Sequence, residues 1–384
     1  MRIAITGAGG QVGSHLVTGI AARRPSAEVI AVCRNAFSAK RLAAAPCEVR
    51  VGSILDADGA RKALAGCDAV VHCALSWNNL TRRDSDNLQM IRAIAATGVK
   101  RLVFVSTVAV YSSCIQPGVN TFAHPRPDND YGRDKVACER EVTRGFAEPG
   151  RRGFVLRLGH VYGPSLHWSR RILALARDRR FKLPFDGALS SNAVRIDRIN
   201  DALAPLLESD IAAGVFNLTD EPNRSWRDVF DWHTQACGLP EVVSLGEGES
   251  RELLAHYVGL KRIGLSRALG EVTGAMVAAG GQLANASQLL KAAGKSVLGW
   301  VPGRAEQALR GRYLASIVAR ELGAVTGREL WEPSLGLLFS DPAPGPGLPC
   351  AVPTPAMASA EQDLREKLFK WYEQWSSPDA LWRE

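Results

Sequence analysis

Tyr131 and Lys135 stand four residues apart, the spacing that puts a phenol and an ammonium on one face of a helix. An unperturbed tyrosine, with a pKa of ~10, is a poor base at neutral pH. A lysine one helical turn away lowers that value by its positive charge and can also hydrogen-bond a nicotinamide ribose. With a further hydroxyl to hold a substrate oxygen, such a pair exchanges a proton with a carbinol while hydride passes to or from a nicotinamide. The same spacing recurs at Tyr257 and Lys261, so spacing alone does not select between them. The surroundings do. Ser106 and Thr107 end an apolar run, Phe104-Val-Ser-Thr-Val-Ala-Val-Tyr111, that reads as a strand delivering two hydroxyls to the carboxyl edge of a sheet. Tyr131 follows that run, whereas Tyr257 has no such strand and lies outside the region where strands and helices alternate. The expected catalytic set is therefore Tyr131, Lys135 and Thr107 or Ser106.

A second element must bring the nicotinamide. The segment Thr6-Gly-Ala-Gly-Gly-Gln-Val-Gly13 follows the first apolar run and opens an amphipathic stretch with Val12, Leu16 and Ile20 on one face. Gly7, Gly10 and Gly13 suit a tight turn, a close backbone approach to a pyrophosphate and close helix–strand packing, and Gln11 and Val12 open the helix beside them. The helix N-terminus presents free N–H groups and a positive dipole end to phosphates. The end of the second strand selects the cofactor. An acid there would bind the ribose 2′-hydroxyl of NAD, but the run is Val32-Cys33-Arg34-Asn35. Arg34 suits a 2′-phosphate instead, which favours NADP, with NAD possible and a plain surface arginine as the alternative.

The elements that position these groups alternate. Strands are expected at 2–6, Glu28–Cys33, Glu48–Gly52, Ala69–Ala74, Leu102–Ser106, Phe154–Leu158 and Gly214–Leu218, with helices near 12–23, 57–65 and 84–97. Nearly continuous apolar strands in this rhythm predict an α/β fold, a Rossmann-type doubly wound parallel sheet with helices on both faces. The expected division is an NADP-binding domain over residues 1–165 and a smaller, mainly helical substrate-binding and C-terminal lobe over 166–384. The strands near 154–158 and 214–218 return to the sheet. Residues 246–330 are rich in Ala, Leu and Gly at helical spacing, and 341–355 carry six prolines that suit a loop or extended arm. Glu361–Trp375 reads as an amphipathic helix with Leu364, Leu368, Trp371 and Trp375 on one stripe, packed against the body.

Bulk composition narrows the function class. A chain of 384 residues with 46% hydrophobic and 22% charged residues can bury a large core. The net charge of +8 is scattered in pairs such as Arg23-Arg24 and Arg170-Arg171, which suits a solvated surface or an anionic substrate rather than nucleic acid. The eight cysteines include no Cys-x-x-Cys and no Cys/His cluster, so buried free thiols and no metal are expected. A strand from residue 2 leaves no room for a signal peptide, and no apolar run approaches ~20 residues, so no membrane span is expected. The chain reads as a cytoplasmic protein.

Taken together, Thr6–Gly13, Val71-His-Cys-Ala74, Asn87, Leu102–Tyr111, Tyr131-Gly-Arg-Asp-Lys135 with Glu139, Arg157-Leu-Gly-His-Val-Tyr-Gly-Pro164 and Ile196-Asp197 resemble the short-chain dehydrogenase/reductase superfamily. The resemblance is to its extended branch of nucleotide-sugar epimerases, dehydratases and reductases, and it covers roughly residues 2–235. It implies Thr107, Tyr131 and Lys135 as the catalytic trio and Asn87 as a support on the lysine side. It extends the cofactor site to Ser53, Ile54, Cys73 and Ala74, and it implies a homodimer. Departures qualify the substrate. Val108 and Ala109 replace the acidic pair of the dehydratases, so 4,6-dehydration is not expected. Gly52-Ser53 replaces Gly-Asp at the adenine pocket, with Asp56 nearby, and Arg157-Leu158 replaces Arg-Pro. Arg195 stands where sugar enzymes often carry His in the strand before Asp197. His160 and Arg195 are candidate substrate contacts, Arg195 as a diphosphate clamp, while His72 suits a core or cofactor-edge histidine. The expected activity is NADP(H)-dependent oxidation, reduction or epimerisation at a secondary alcohol or ketone, first of a nucleotide-activated sugar. Reduction of a non-sugar ketone or aldehyde, steroid-like or from secondary metabolism, and a non-catalytic NADP-sensing or scaffold protein remain as alternatives.

Overall fold

A computed structural model describes residues 1–80, 84–111, 125–127, 129–177, 181–189, 191–220, 224–250 and 355–376. Seven strands form one parallel sheet: β1 (Arg2–Thr6), β2 (Glu28–Cys33), β3 (Glu48–Val51), β4 (Ala69–His72), β5 (Arg101–Thr107), β6 (Arg152–Leu158) and β9 (Gly214–Leu218). Their order is β3-β2-β1-β4-β5-β6-β9. The chain builds outward from β1 in one direction and then from β4 in the other, so the order reverses between these two strands. A crevice opens at that switch point, beyond the carboxyl ends of the strands. β1 and β4 are buried along almost their whole length, which is why they read as uninterrupted apolar runs.

Helices α1 (Gln11–Arg23), α3 (Ala57–Ala63), α4 (Asp86–Ala95) and α5 (Asp130–Gly145) cover the sheet, with a short α2 (Ala36–Ala39) after β2. Side-chain caps set where several of them start. Asp56 accepts from Gly59 N–H at 2.8 Å, Ser85 from Leu88 N–H at 3.2 Å and Asn129 from Gly132 N–H at 2.8 Å. The Asn129 cap puts Tyr131 in the first turn of α5. Ile91, Ile94, Leu102, Phe104, Cys138 and Val142 fill the layer between α4, α5 and the sheet.

The observed strands match the expected ones within two residues at each end, and β6 and β9 do join the sheet, in parallel register. β4 stops at His72 rather than Ala74. Beyond it the backbone passes so close to the glycine loop that a Cβ on Gly7 would lie 2.6 Å from Ala74 Cα.

A second, two-stranded parallel sheet pairs β7 (His160–Tyr162) with β8 (Ala193–Arg195). Around it lie α6 (His167–Arg177), α7 (Ile196–Glu208), α8 (Trp226–Ala236) and the C-terminal α9 (Pro355–Ser376). On α9 the buried stripe is Leu364, Leu368 and Tyr372, with Trp371 only half-buried, because these three recur every four residues. The protein divides into two compact units. The larger comprises Met1–Arg179, Gly187–Val242 and Pro333–Glu384, and the smaller Arg180–Asp186 and Val243–Glu332. The Tyr257–Lys261 pair, the helical pattern from 251 to 330, the proline-rich stretch up to 354 and the Trp375 side chain lie outside the described residues. So do Cys114 and Cys350. The six described cysteines are all free thiols, with Cys33, Cys138 and Cys237 buried. Among the described residues no helix is long and apolar enough to cross a membrane.

Candidate active site

At the β1/β4 switch point a groove of about 630 Å³ runs along the carboxyl edge of the sheet. Its floor is backbone. Gly7 has φ +69°, a left-handed conformation that favours glycine, and a Cβ on Gly13 would sit 2.3 Å from the Gly7 carbonyl oxygen. Gly10 donates to that carbonyl at 2.9 Å and is the N-cap of α1, with no side chain capping the helix. The first-turn N–H groups thus have no side-chain acceptor, the arrangement that takes a phosphate. Gly7, Gly10, Gln11, Val12 and Gly13 all line the groove, as do Arg34, Ser53, Ile54, Cys73 and Ala74. All ten residues outside the Tyr–Lys pair that the sequence pointed to for the cofactor are therefore brought to one crevice. Asp56, by contrast, serves as the cap of α3.

Next to this groove α5 closes on the end of β5. Gly132 permits the approach, since a Cβ there would lie 2.3 Å from the Ala109 carbonyl oxygen. Lys135 is buried; its Nζ donates to the Val105 carbonyl at 2.9 Å and lies 4.6 Å from the Phe104 ring centre. The same Nζ is 5.9 Å from the centre of the Tyr131 ring. Thr107 follows Val105 by two residues and accepts from Ala109 N–H at 3.2 Å, so its hydroxyl stands at the turn that α5 packs against. Ser106 faces the other way. Its hydroxyl is buried and donates to Glu139 Oε1 at 2.5 Å. Glu139 is also held by Arg157 through both carboxylate oxygens, at 3.0 and 2.6 Å, and Arg157 donates to the Tyr111 hydroxyl at 2.7 Å. Of the two candidate hydroxyls, Thr107 is placed at the corner and Ser106 is tied into the network behind it.

Asn87 is likewise a brace. Its side-chain amide donates to the Ser76 carbonyl at 2.9 Å and to Asp134 at 2.8 Å, and its side-chain oxygen accepts from Ser76 N–H at 2.8 Å. It thus joins the loop after β4 to the residue preceding Lys135. His72 bonds Thr6 through Nδ1 at 2.6 Å and stacks on Phe104. Burial, and then the charge of Lys135, push it down to about 3, so it stays neutral. It is a core histidine at the edge of the groove.

His160 opens β7 and Arg195 ends β8 in the two-stranded sheet. His160 bonds the Ser191 carbonyl through Nδ1 at 2.8 Å, packs edge-on to Trp168, and is lowered by burial to about 4. Arg195 forms a two-pronged pair with Asp197 at 3.1 and 3.0 Å and also binds Glu361 of α9. Glu361 additionally receives Arg224 at 3.3 Å and Trp232 Nε1 at 3.1 Å. The guanidinium expected to clamp a diphosphate is thus held by two carboxylates of the protein itself. The sequence reading missed Glu361, because 166 positions separate the partners. It also missed Trp77, which lines the groove and lies 5.3 Å, ring centre to ring centre, from Tyr131. An aromatic residue just past the carboxyl end of a strand was the signal available.

Comparison with known proteins accords with this geometry. Residues 3–181 match the NAD dependent epimerase/dehydratase family. That match spans the glycine loop, the Tyr131–Lys135 pair and the sheet as far as β6. The chain is 29% identical over 251 residues to a 2'-dehydrokanamycin reductase of Streptomyces kanamyceticus, covering 62% of this chain and 68% of the relative. It is 27% identical over 252 residues to a UDP-glucose 4-epimerase of Streptomyces lividans, covering 55% and 74% of the two chains. Among solved structures it is similar to MoeE5 in complex with UDP-glucose and NAD, with a TM-score of 0.51 and 25% identity over 64% of this chain and 85% of that one. Together these matches support a nicotinamide-dependent oxidoreductase or epimerase.

Proposed function

We propose that this chain is an NADP(H)-dependent oxidoreductase or epimerase acting at a secondary alcohol or ketone carbon of a sugar, with nucleotide-activated sugars as the first substrate class. The observation that carries the proposal is the corner itself. Tyr131 and Lys135 stand on one turn of α5, with the Lys135 ammonium 5.9 Å from the centre of the Tyr131 ring, at the strand end beside the glycine cradle. Tyr131 gives a proton to the substrate oxygen in reduction and takes one in oxidation. Thr107 donates a hydrogen bond that holds the same oxygen, and Lys135 supplies fixed positive charge and a donor for the ribose. The bound dinucleotide supplies the hydride or accepts it. Asn87 and Glu139 act behind this set, one by bracing the loop after β4 and the other by anchoring Ser106 and Arg157. Val108 and Ala109 offer no acid for 4,6-dehydration.

Arg34 supports NADP as the cofactor. It lines the groove at the end of β2, and the one carboxylate among the lining residues, Asp86, is already engaged by Ser76 and Asn79. Arg34→Ala should weaken NADP⁺ about tenfold or more and leave NAD⁺ affinity unchanged. Equal loss for both, or tighter NAD⁺ binding by the wild type, would refute the preference. Tyr131→Phe should keep the cofactor dissociation constant and cut turnover by on the order of 10²-fold; wild-type turnover in this variant would sink the assignment.

A second reading, reduction of a ketone that carries no nucleotide, is favoured by the engagement of Arg195 with Asp197 and Glu361 and by the similarity to a 2'-dehydrokanamycin reductase. UDP- and dTDP-sugars and nucleotide-free keto-sugars, each offered with and without added NADPH, separate these outcomes. Product formed without added cofactor marks epimerisation, and NADPH consumption marks reduction. We include in the proposal a cytoplasmic homodimer with the substrate lobe beyond residue 165.

A further inference from the structure

Trp77 is 68% exposed, an unusual state for the largest apolar side chain. It is also rigidly mounted. The preceding residue, Ser76, is held by four hydrogen bonds: its N–H and carbonyl pair with Asn87, and its hydroxyl donates to Asp86 at 2.8 Å and accepts from Asn78 N–H at 3.2 Å. Asn87 is in turn fixed to Asp134 on α5, so the loop and the helix bearing Tyr131 are locked together. The indole lies 5.3 Å from the Tyr131 ring, at an interplanar angle of 31°, and lines the groove. A polar brace anchored on the buried Asn87 that holds an exposed aromatic beside an acid/base candidate suits an aromatic that has a ligand to meet.

We propose that Trp77 is the specificity-determining platform of the substrate site: the apolar C–H face of a six-membered ring lies on the indole while the ring's oxygen function meets the Tyr131 hydroxyl. This deepens the proposed function and rests on the reading of Tyr131 as the acid/base. The substrate class is then a cyclic polyol or pyranose whose reacting carbon is part of the ring, rather than an open-chain ketone or aldehyde. A pyranose suits the site because its axial C–H groups form a flat apolar patch, and its hydroxyls at the rim remain free for polar partners. Preorganisation of the indole by Ser76 and Asn87 lowers the ordering cost of binding.

The test uses the full chain loaded with NADP⁺, and a methyl hexopyranosid-4-ulose and 2-hexanone as probes. Binding is read by saturation-transfer NMR, which needs no turnover, and cofactor affinity by titration. The wild type should bind the pyranosidulose and discriminate against 2-hexanone. Trp77→Ala should weaken the ring probe about tenfold with unchanged NADP⁺ affinity, and Trp77→Phe should retain most of the binding. No binding of the ring probe by the wild type, an unchanged affinity in Trp77→Ala, or an equal loss of NADP⁺ affinity would each overturn the proposal. Tyr131→Phe, run in parallel, separates the two ideas. It should still bind the ring probe, so wild-type turnover in that variant removes the acid/base assignment while leaving the platform result in place.

Discussion

The cofactor groove and the lobe around β7 and β8 treat polar groups in opposite ways. In the groove the recognising groups are left open: N–H groups at an uncapped helix start, the Arg34 guanidinium at a strand end and an exposed indole. Around β7 and β8 a charged network is instead buried and closed on itself. Tyr162 donates to Asp220 at 2.6 Å, Asp220 accepts from Arg195 N–H at 3.0 Å, and Arg195 and Arg224 converge on Glu361. Open groups make a site, whereas closed groups make a scaffold, since an unpaired buried charge is far costlier than a paired one. The difference teaches that an arginine in the right segment is a ligand only if the fold leaves it unanswered.

The sharpest way to break this comparison is to remove a closed group. Arg195→Ala leaves Asp197 and Glu361 without their main partner, and should lower unfolding stability by about 3–5 kcal/mol in urea titrations while cofactor affinity stays unchanged. A stable variant that loses its affinity for nucleotide sugars would instead make Arg195 a ligand. The next effect is acid sensitivity. His160 and His233 are held neutral by burial, each at about 4 against an ordinary 6.5. Between these values the unfolded chain binds more protons than the folded one, so stability falls as pH falls through this window. At pH 5 each histidine should cost on the order of 2 kcal/mol relative to pH 7.5. Unfolding midpoints that are flat between pH 7.5 and 5 would contradict the closed lobe. The smallest effect on stability belongs to the groove. Gly13→Ala forces a methyl into the Gly7 carbonyl, and should weaken the dinucleotide by roughly 10- to 10²-fold with a stability change of about 1–3 kcal/mol at most. Unaltered affinity would mean that the loop does not carry the pyrophosphate.

Much of the groove was legible in the sequence because its signals are local. Gly7, Gly10 and Gly13 fall within one turn of chain, and Tyr131 and Lys135 within one turn of helix, so spacing translates directly into placement. The strand ends that supply Arg34 and Cys73 follow from apolar runs whose boundaries are visible, while Ser53 follows the short alternating strand Glu48-Val-Arg-Val51. Ser106 and Thr107 show where this legibility stops. Neighbours along a strand point to opposite faces, and only the position of Glu139 on α5 decides which hydroxyl is tied inside.

The amino-acid sequence by itself determined the parallel sheet, the glycine cradle and the register of the Tyr–Lys pair, because each follows from short-range periodicity and backbone sterics. Only the tertiary structure decided that Arg195 answers to Glu361 across 166 positions and that Trp77 stands beside Tyr131. It also decided that Gly132 brings α5 onto the strand end. Those contacts join segments whose separation along the chain is unrelated to their separation in space, and pairwise chemistry between such segments has no local pattern to betray it.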